Sequence, residues 1–328
     1  RPALYLYRQI MDGRGQTGIV GCVAVDEYKN NTIKKHEFTR VEKEIDRINH
    51  FDVCDTNTEP VFLTYRDDKR IRSIMERFAA ANDPAYDVTA ADGVQHILWV
   101  IDDEQIIDGL VSLFDQIPAM YIADGHHRSA SACKVGEKRR EENPDYKGDE
   151  EFNFFMAAIF PDNDLKIFDY NRVVKDLNGN TCEEFIAKVQ ASGFAVCDMG
   201  EDPYYPEGKG IFSMYLEGRW YKLTASEDII PDHVIESLDV SVLQNNLLGP
   251  ILGIEDPRTD KRIDFVGGIR GLEELVRRAE SDMKVAFAVY PVDVDDLLEV
   301  ADNDMVMPPK STWFEPKLGS GLFMHRLK

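Results

Sequence analysis

Apolar and polar positions in this chain change period repeatedly, and each change marks an expected element. Residues 3–10 and 18–28 alternate or run apolar on either side of Asp12-Gly13-Arg14-Gly15, which predicts a hairpin. A helix is expected from about Val41 to Phe51 with Ile45, Ile48 and Phe51 inward, and a second from Asp67 to Ala80 with Ile71, Ile74, Met75 and Phe78 inward. Strands are expected at 60–65 and 96–101, a loop at 87–91 and a helix at 104–114. The apolar run 119–122 reads as a strand, Gly125 as a sharp turn, and 129–138 as the opening of a helix. Residues 138–149 are polar and read as an exposed loop with the character of a lid.

The second half continues the alternation. Strands are expected at 152–160 and 165–174, paired across Pro161-Asp162-Asn163-Asp164. Thr181, with Glu184 three residues on, predicts a capped helix to 192; a strand follows at 194–199 and a hairpin turns about Glu217-Gly218. Helices are expected from 239, at 271–281 and at 294–301, with a core strand at 285–290. The whole predicts an α/β to α+β fold of mixed sheets with flanking helices. The expected divisions are a main domain over 1–180, a small α+β subdomain over 181–230, and a C-terminal portion, 231–328, that returns to the main domain.

Charge narrows the function classes. The 328 residues carry 60 acidic and 38 basic side chains, a net charge of -22. Such a field repels nucleic acid and anionic membrane, so a phosphate-bearing ligand must be held by a local basic pocket. The five cysteines are scattered and odd in number, which fits reduced thiols and a cytoplasmic location. No apolar run approaches a membrane span. The chain opens almost directly on a strand without an initiator Met, so it is expected to begin inside a longer protein. Self-association is left open.

Candidate chemistry concentrates in Asp124-Gly125-His126-His127-Arg128-Ser129, between the strand and the helix. Helix N-termini offer free N–H groups and a positive dipole end, and two imidazoles and a guanidinium add donors, so the cluster suits a phosphate. A plainer alternative has Asp124 capping the helix, both histidines solvated and Arg128 paired with a carboxylate. Adjacent histidines point in different directions on a helix, which argues against structural zinc. The charges from Glu37 to Arg47 read either as a solvated helix face or as Glu37 and Arg40 flanking a site. Arg172 stands at a strand end, a common ligand position in open sheets. The loop 255–262, which holds Lys261, reads as an ion-paired connector or as a return to the phosphate site. In the tail 305–317, Lys310 and Ser311 stand either in a loop pinned by Trp313 or at an anion site.

Five ordered motifs, K-K-H-E-F-T-R, Y-I-A-D-G-H-H-R-S-A-S-A, D-Y-N-R-V-V-K-D-L, G-I-E-D-P-R-T-D-K-R-I-D-F-V-G-G and M-P-P-K-S-T-W-F-E-P-K, resemble the family known as domain of unknown function 1015. The strand–D-G-H-H-R–helix element is similar to the phosphate-binding element of the ParB/sulfiredoxin superfamily, which includes free serine kinases. That resemblance implies a nucleotide-phosphate site at Asp124, Gly125, His126, His127 and Arg128, and an upstream glutamate acting on a serine hydroxyl. Glu37 is the residue carried into that role, with Glu44 and Glu42 as substitutes. Sulfiredoxin has a cysteine where this chain has His126, so sulfinic-acid chemistry is not implied.

The function expected from this is a phosphotransferase, a kinase moving phosphate between ATP or ADP and a small alcohol such as serine. Magnesium is the expected cofactor and Asp124 its ligand. Glu37, His126 and Asp124 are the expected catalytic residues; Arg40, Arg172, Lys261, Lys310 and Ser311 are the further phosphate ligands. The rivals are a phosphoserine phosphatase using His126 or His127 as acid or nucleophile, and a regulatory protein that binds a nucleotide or phosphorylated metabolite without turnover. DNA binding as in partition ParB proteins is the least favoured reading, given the charge and the missing helix-turn-helix pattern.

Overall fold

The computed structural model describes residues 3–328. The chain forms two compact units, Arg1–Lys166 with Pro316–Lys328, and Ile167–Glu315.

The first unit is built on an eight-stranded sheet in the order Ile33–Lys34, Met120–Asp124, Val61–Tyr65, Phe154–Pro161, Arg14–Ala24, Leu4–Met11, Gln95–Ile101, Tyr86–Thr89. Two of its pairings are parallel, Ile33–Lys34 with Met120–Asp124 and Val61–Tyr65 with Phe154–Pro161, so the sheet is mixed. The opening hairpin forms in the expected place, with Met11 opposite Arg14 and positive φ at Asp12 (51°) and Gly13 (77°), the geometry of a two-residue hairpin turn. Strand Val61–Tyr65 is buried at every position, as a central strand covered on both faces should be. Leu6, Leu63, Ile71, Ile122 and Ala157 meet in the core, joined by Leu327 from the returning C-terminus.

The second unit has a six-stranded sheet in the order Phe194–Gly200, Arg219–Ala225, Ile211–Leu216, Val285–Ala288, Tyr170–Val174, Ile263–Gly267. All its pairings are antiparallel. Phe185, Val189, Phe212, Met214, Leu243, Leu247 and Phe287 fill one core. The expected capping box forms: Glu184 N–H donates to Thr181 Oγ1 at 3.2 Å and Thr181 N–H to Glu184 at 2.8 Å.

The structure differs from the sequence expectations at several points. Residues 194–225 supply three of the six strands of the second sheet rather than a subdomain of their own, and the chain passes between units at 166–167. Residues 167–174 do not pair with 154–161, whose partners are Arg14–Ala24 and Val61–Tyr65. The polar Pro161–Asp164 segment looks locally like a hairpin turn, but here it leads the chain out of the first unit. Tyr86–Thr89 is an edge strand rather than a loop; all four residues are exposed, so no burial pattern announced it. Residues 138–142 are helical rather than part of a lid, held because Arg139 pairs with Asp52 and Asp55 and Arg140 with Asp26. No helix among the described residues is long and apolar enough to cross a membrane.

Candidate functional site

The strand Met120–Asp124 buries Tyr121, Ile122 and Ala123, which fixes where it ends. Gly125 follows with φ +101°, a conformation costly for any residue with a Cβ, and reverses the chain into the helix His126–Glu142. The two histidines and Arg128 are therefore the first turn of the helix itself, three residues earlier than the expected start. Asp124 is not the cap: the N-cap is Gly125, and no side chain caps the helix. The first-turn N–H groups cannot pair within the helix, so they stand available to an anion.

The other wall is the segment 36–47. His126 is 5% exposed, and its Nε2 accepts the backbone N–H of His36 at 3.4 Å. Its Nδ1 lies 3.8 Å from Glu37 Oε2. A ring that accepts at Nε2 carries its proton on Nδ1 when neutral, so His126 presents that N–H toward Glu37. His36 packs edge to face on His126 at 4.4 Å. Burial draws His36 down to about 4, and burial with the neighbouring His36 and His127 holds His126 well below its ordinary value. Both rings are neutral at pH 7.

His127 Nε2 accepts the backbone N–H of Arg40 at 3.0 Å, leaving Nδ1–H as a donor. Burial lowers its pKa first, and Lys43, Arg40 and Arg47 lower it further against an opposing Glu44. Arg40, Lys43 and Arg47 are exposed, and among the described residues none has an ion-pair partner. They form a cationic patch on a strongly acidic protein. Lys43 and Arg47 were legible only as part of a charged helix face; their spacing from Arg40, three and seven residues, puts all three on one side.

Glu44 and Ile45 exchange their expected places. Glu44 is buried, bonded to Thr39 Oγ1 and Lys134 Nζ, while Ile45 is 52% exposed. Burial alone would raise Glu44, but the Lys134 and Thr39 hydrogen bonds outweigh it and hold the carboxyl low. Ser131 Oγ donates to the Glu44 carbonyl at 3.2 Å, so Glu44 fastens the helix Val41–Cys54 to His126–Glu142. It is thereby committed elsewhere than to a substrate, and Glu42 is exposed. Glu37, itself exposed, lies 3.8 Å from His126 Nδ1 in the first turn of the helix.

Arg128 folds back over Gly125 and donates to the Pro60 carbonyl at 2.6 Å, with Glu59 at 3.4 Å. Ser129 is fully buried, its hydroxyl donating to the Gly125 carbonyl at 3.2 Å. It presents nothing at the surface, contrary to its expected place among the ligands. Asp124 is 41% exposed at its side chain, and Lys317 Nζ stands 3.3 Å from its Oδ2. Lys317 was quoted only as the end of the last motif. Its arrival beside Asp124 depends on the returning C-terminal strap, where Gln9 Nε2 donates to the Lys317 carbonyl and Ser320 Oγ to Glu59.

Four expected ligands belong to the second unit. Lys261 is exposed on a loop whose arginines are engaged internally, Arg258 with Asp256 and Arg262 with Asp260 and Asp176. That is the ion-paired connector of the two readings. Ser311 is buried and donates to the Pro308 carbonyl at 2.6 Å. Arg172 is buried, and Lys310 is exposed with its Nζ 5.4 Å from the Tyr170 ring.

Among the described residues there is no group of three or more His, Cys, Asp or Glu able to hold a metal. Asp124 does offer one accessible carboxylate, and magnesium is commonly held by one or two carboxylates together with substrate phosphates.

These features define a mixed α/β protein with a basic helix-start site. The chain belongs to the family described as a protein of unknown function, DUF1015, whose model matches residues 1–241. The fourth and fifth motifs lie beyond that span. No curated protein matches the chain. Among solved structures it is similar to SbnI with C-terminal truncation from Staphylococcus aureus, at 11% identity and TM-score 0.50, over 94% of this chain and 89% of that one. It is also similar to a conserved hypothetical protein from Pyrococcus furiosus, at 14% identity and TM-score 0.42, over 94% and 95%. A free serine kinase in complex with AMP matches at 14% identity and TM-score 0.41, over 90% and 86%. The likeness to SbnI is one of fold.

Proposed function

We propose that the chain is a phosphotransferase that holds nucleotide phosphates, of ATP or ADP, at the start of the helix His126–Glu142 and moves a phosphoryl group to or from a small alcohol, free serine foremost. The observation that carries this reading is the uncapped first turn of a 17-residue helix, flanked by the unpaired cations Arg40, Lys43 and Arg47. Phosphoryl transfer needs chiefly positioning and neutralisation of charge, and oriented N–H groups with nearby cations supply both. The D-G-H-H-R resemblance supports the same reading.

In this mechanism the backbone N–H groups of the first turn and His127 Nδ1–H hold phosphate oxygens. Arg40 and Lys317 neutralise charge, and Arg128 anchors the turn. Glu37 orients the acceptor hydroxyl and takes its proton. His126 is a positioning residue: neutral and buried, it turns Nδ1–H toward Glu37. Magnesium, bound through Asp124, would draw charge from the phosphates. The buried state of His126 disfavours it as a phosphatase nucleophile.

The test is production of phosphoserine from serine, magnesium and ATP or ADP, followed by 31P NMR. Wild type is expected to form it and Glu37→Gln to lose about a hundredfold or more of the rate. No product with either nucleotide, together with an unaffected Glu37→Gln in any activity found, overturns the reading. Phosphate released from phosphoserine without nucleotide would select a phosphatase instead.

A further inference from the structure

Side chains around the strand Tyr170–Val174 alternate across the second sheet. On one side Asp169 accepts from Asn171 Nδ2 at 2.5 Å and from the Tyr205 hydroxyl at 2.6 Å, which holds its carboxylate there. Tyr170 and Arg172 face the other way. Phe265 lies opposite Arg172 in the ladder, its ring centre 5.4 Å from the guanidinium carbon. Tyr170 packs edge to face on Phe265 at 6.0 Å and on Trp313 at 5.1 Å. Gly267 makes this possible, since a Cβ there would stand 2.8 Å from the Trp313 ring.

Arg172 is 3% exposed, yet its guanidinium donates only to backbone carbonyls, those of Tyr170 and of Pro309 at 3.4 Å. Among the described residues no carboxylate pairs with it or with Lys310. Burial draws Arg172 down to about 10, which leaves it charged at neutral pH. Buried charges are ordinarily paired, because an isolated one is expensive to desolvate. Arg172, buried on an aromatic-walled face beside the exposed Lys310 and without a counter-ion, is therefore short of one negative group. Lys310 adds a second peculiarity: its φ is +57°, a region that favours glycine, and strain of this kind collects at functional positions.

We propose that Arg172 and Lys310, walled by Tyr170, Phe265 and Trp313, form an oxyanion-binding site carried by the second unit's own residues, which takes a compact carboxylate or phosphate. Neither cation presents a partner acid, and Ser311, the nearby hydroxyl in sequence, donates to Pro308. Recognition is thus by charge and by flat apolar walls. The proposal does not depend on the phosphotransfer reading.

The test follows the three tryptophan indole N–H signals by NMR in full-length protein, with Trp313→Phe assigning the relevant one. Inorganic phosphate and acetate are titrated separately into wild type, His127→Ala, Lys310→Ala and Arg172→Leu. A saturable shift of the Trp313 signal with at least one probe is expected in wild type and in His127→Ala. Lys310→Ala, an exposed position that leaves the core untouched, is expected to weaken it by up to about fivefold. Arg172→Leu, if folded, should abolish it. Which probe saturates distinguishes carboxylate from phosphate. No saturable shift with either, saturation unchanged in Lys310→Ala, or loss of the shift in His127→Ala overturns the proposal.

Discussion

His127 accepts the backbone N–H of Arg40 at 3.0 Å. That single bond joins the first turn of one helix to the N-cap of another, because Arg40 is also the N-cap of Val41–Cys54. It fixes the His127 tautomer and brings Arg40, Lys43 and Arg47 to the uncapped end of His126–Glu142.

If those cations serve a bound phosphate, removing them weakens binding without unfolding the protein. Arg40→Ala and Arg47→Ala are expected to lower ADP affinity by up to about fivefold each, as solvent-exposed charges do. The effect should shrink at high salt. Calorimetric titration at low and high ionic strength measures both; salt-independent losses, or none, contradict the assignment.

Gly125 is a backbone requirement. At φ +101° an alanine is strained, and its Cβ would meet the Arg128 guanidinium at 3.1 Å. Gly125→Ala is expected to cost about 1–3 kcal/mol in urea unfolding. An unchanged midpoint would show that the turn accommodates a side chain.

This turn was readable in the sequence because a buried apolar run, a glycine and a helix-forming stretch announce themselves locally. The opposite wall was not. A helical period with Ile45, Ile48 and Phe51 predicts Ile45 inward, yet Glu44 takes that position because Lys134 and Thr39, on other elements, satisfy its carboxylate. Nothing near residue 44 reveals those partners. Lys317 likewise reaches Asp124 only through a chain return of nearly two hundred residues. Edge strand Tyr86–Thr89, exposed throughout, carries no burial pattern to read.

The buried histidines set the acid response. His36 lies at about 4 in the folded chain and near 6.5 when unfolded, so the unfolded chain binds more protons between those values. Stability is therefore lost as pH falls from about 6.5 toward 4, by roughly 1.4 kcal/mol per pH unit for this group. His126 adds to the loss with the same sign. Glu44, held low, keeps its contribution above 4.5 and loses it only as pH falls through its own lower value. Urea midpoints at pH 7.5, 6 and 5 should decline, and His36→Leu should remove about one proton's worth of the slope. An equal slope in the variant contradicts this.

Lys317 stands over Asp124 at 3.3 Å, half exposed. Lys317→Ala leaves that carboxylate without this cation beside the phosphate site. Nucleotide affinity is expected to fall by up to about fivefold at low salt. With magnesium left out of the titration, Asp124→Asn in the same background should recover part of the loss; failure of the pair to interact in this double-variant cycle would show that Lys317 only tethers the C-terminal strap.

The central claim, a phosphate site at the helix start, is tested most directly by thermal unfolding of wild type and His127→Ala with ATP, ADP, serine, phosphoserine, inorganic phosphate and magnesium. A ligand at a hundred to a thousand times its dissociation constant raises stability by roughly 2.7–4.1 kcal/mol. The account predicts such a rise with ATP or ADP in wild type and its loss in His127→Ala. A nucleotide-dependent rise that survives in His127→Ala, or no rise with any of the phosphates, contradicts it.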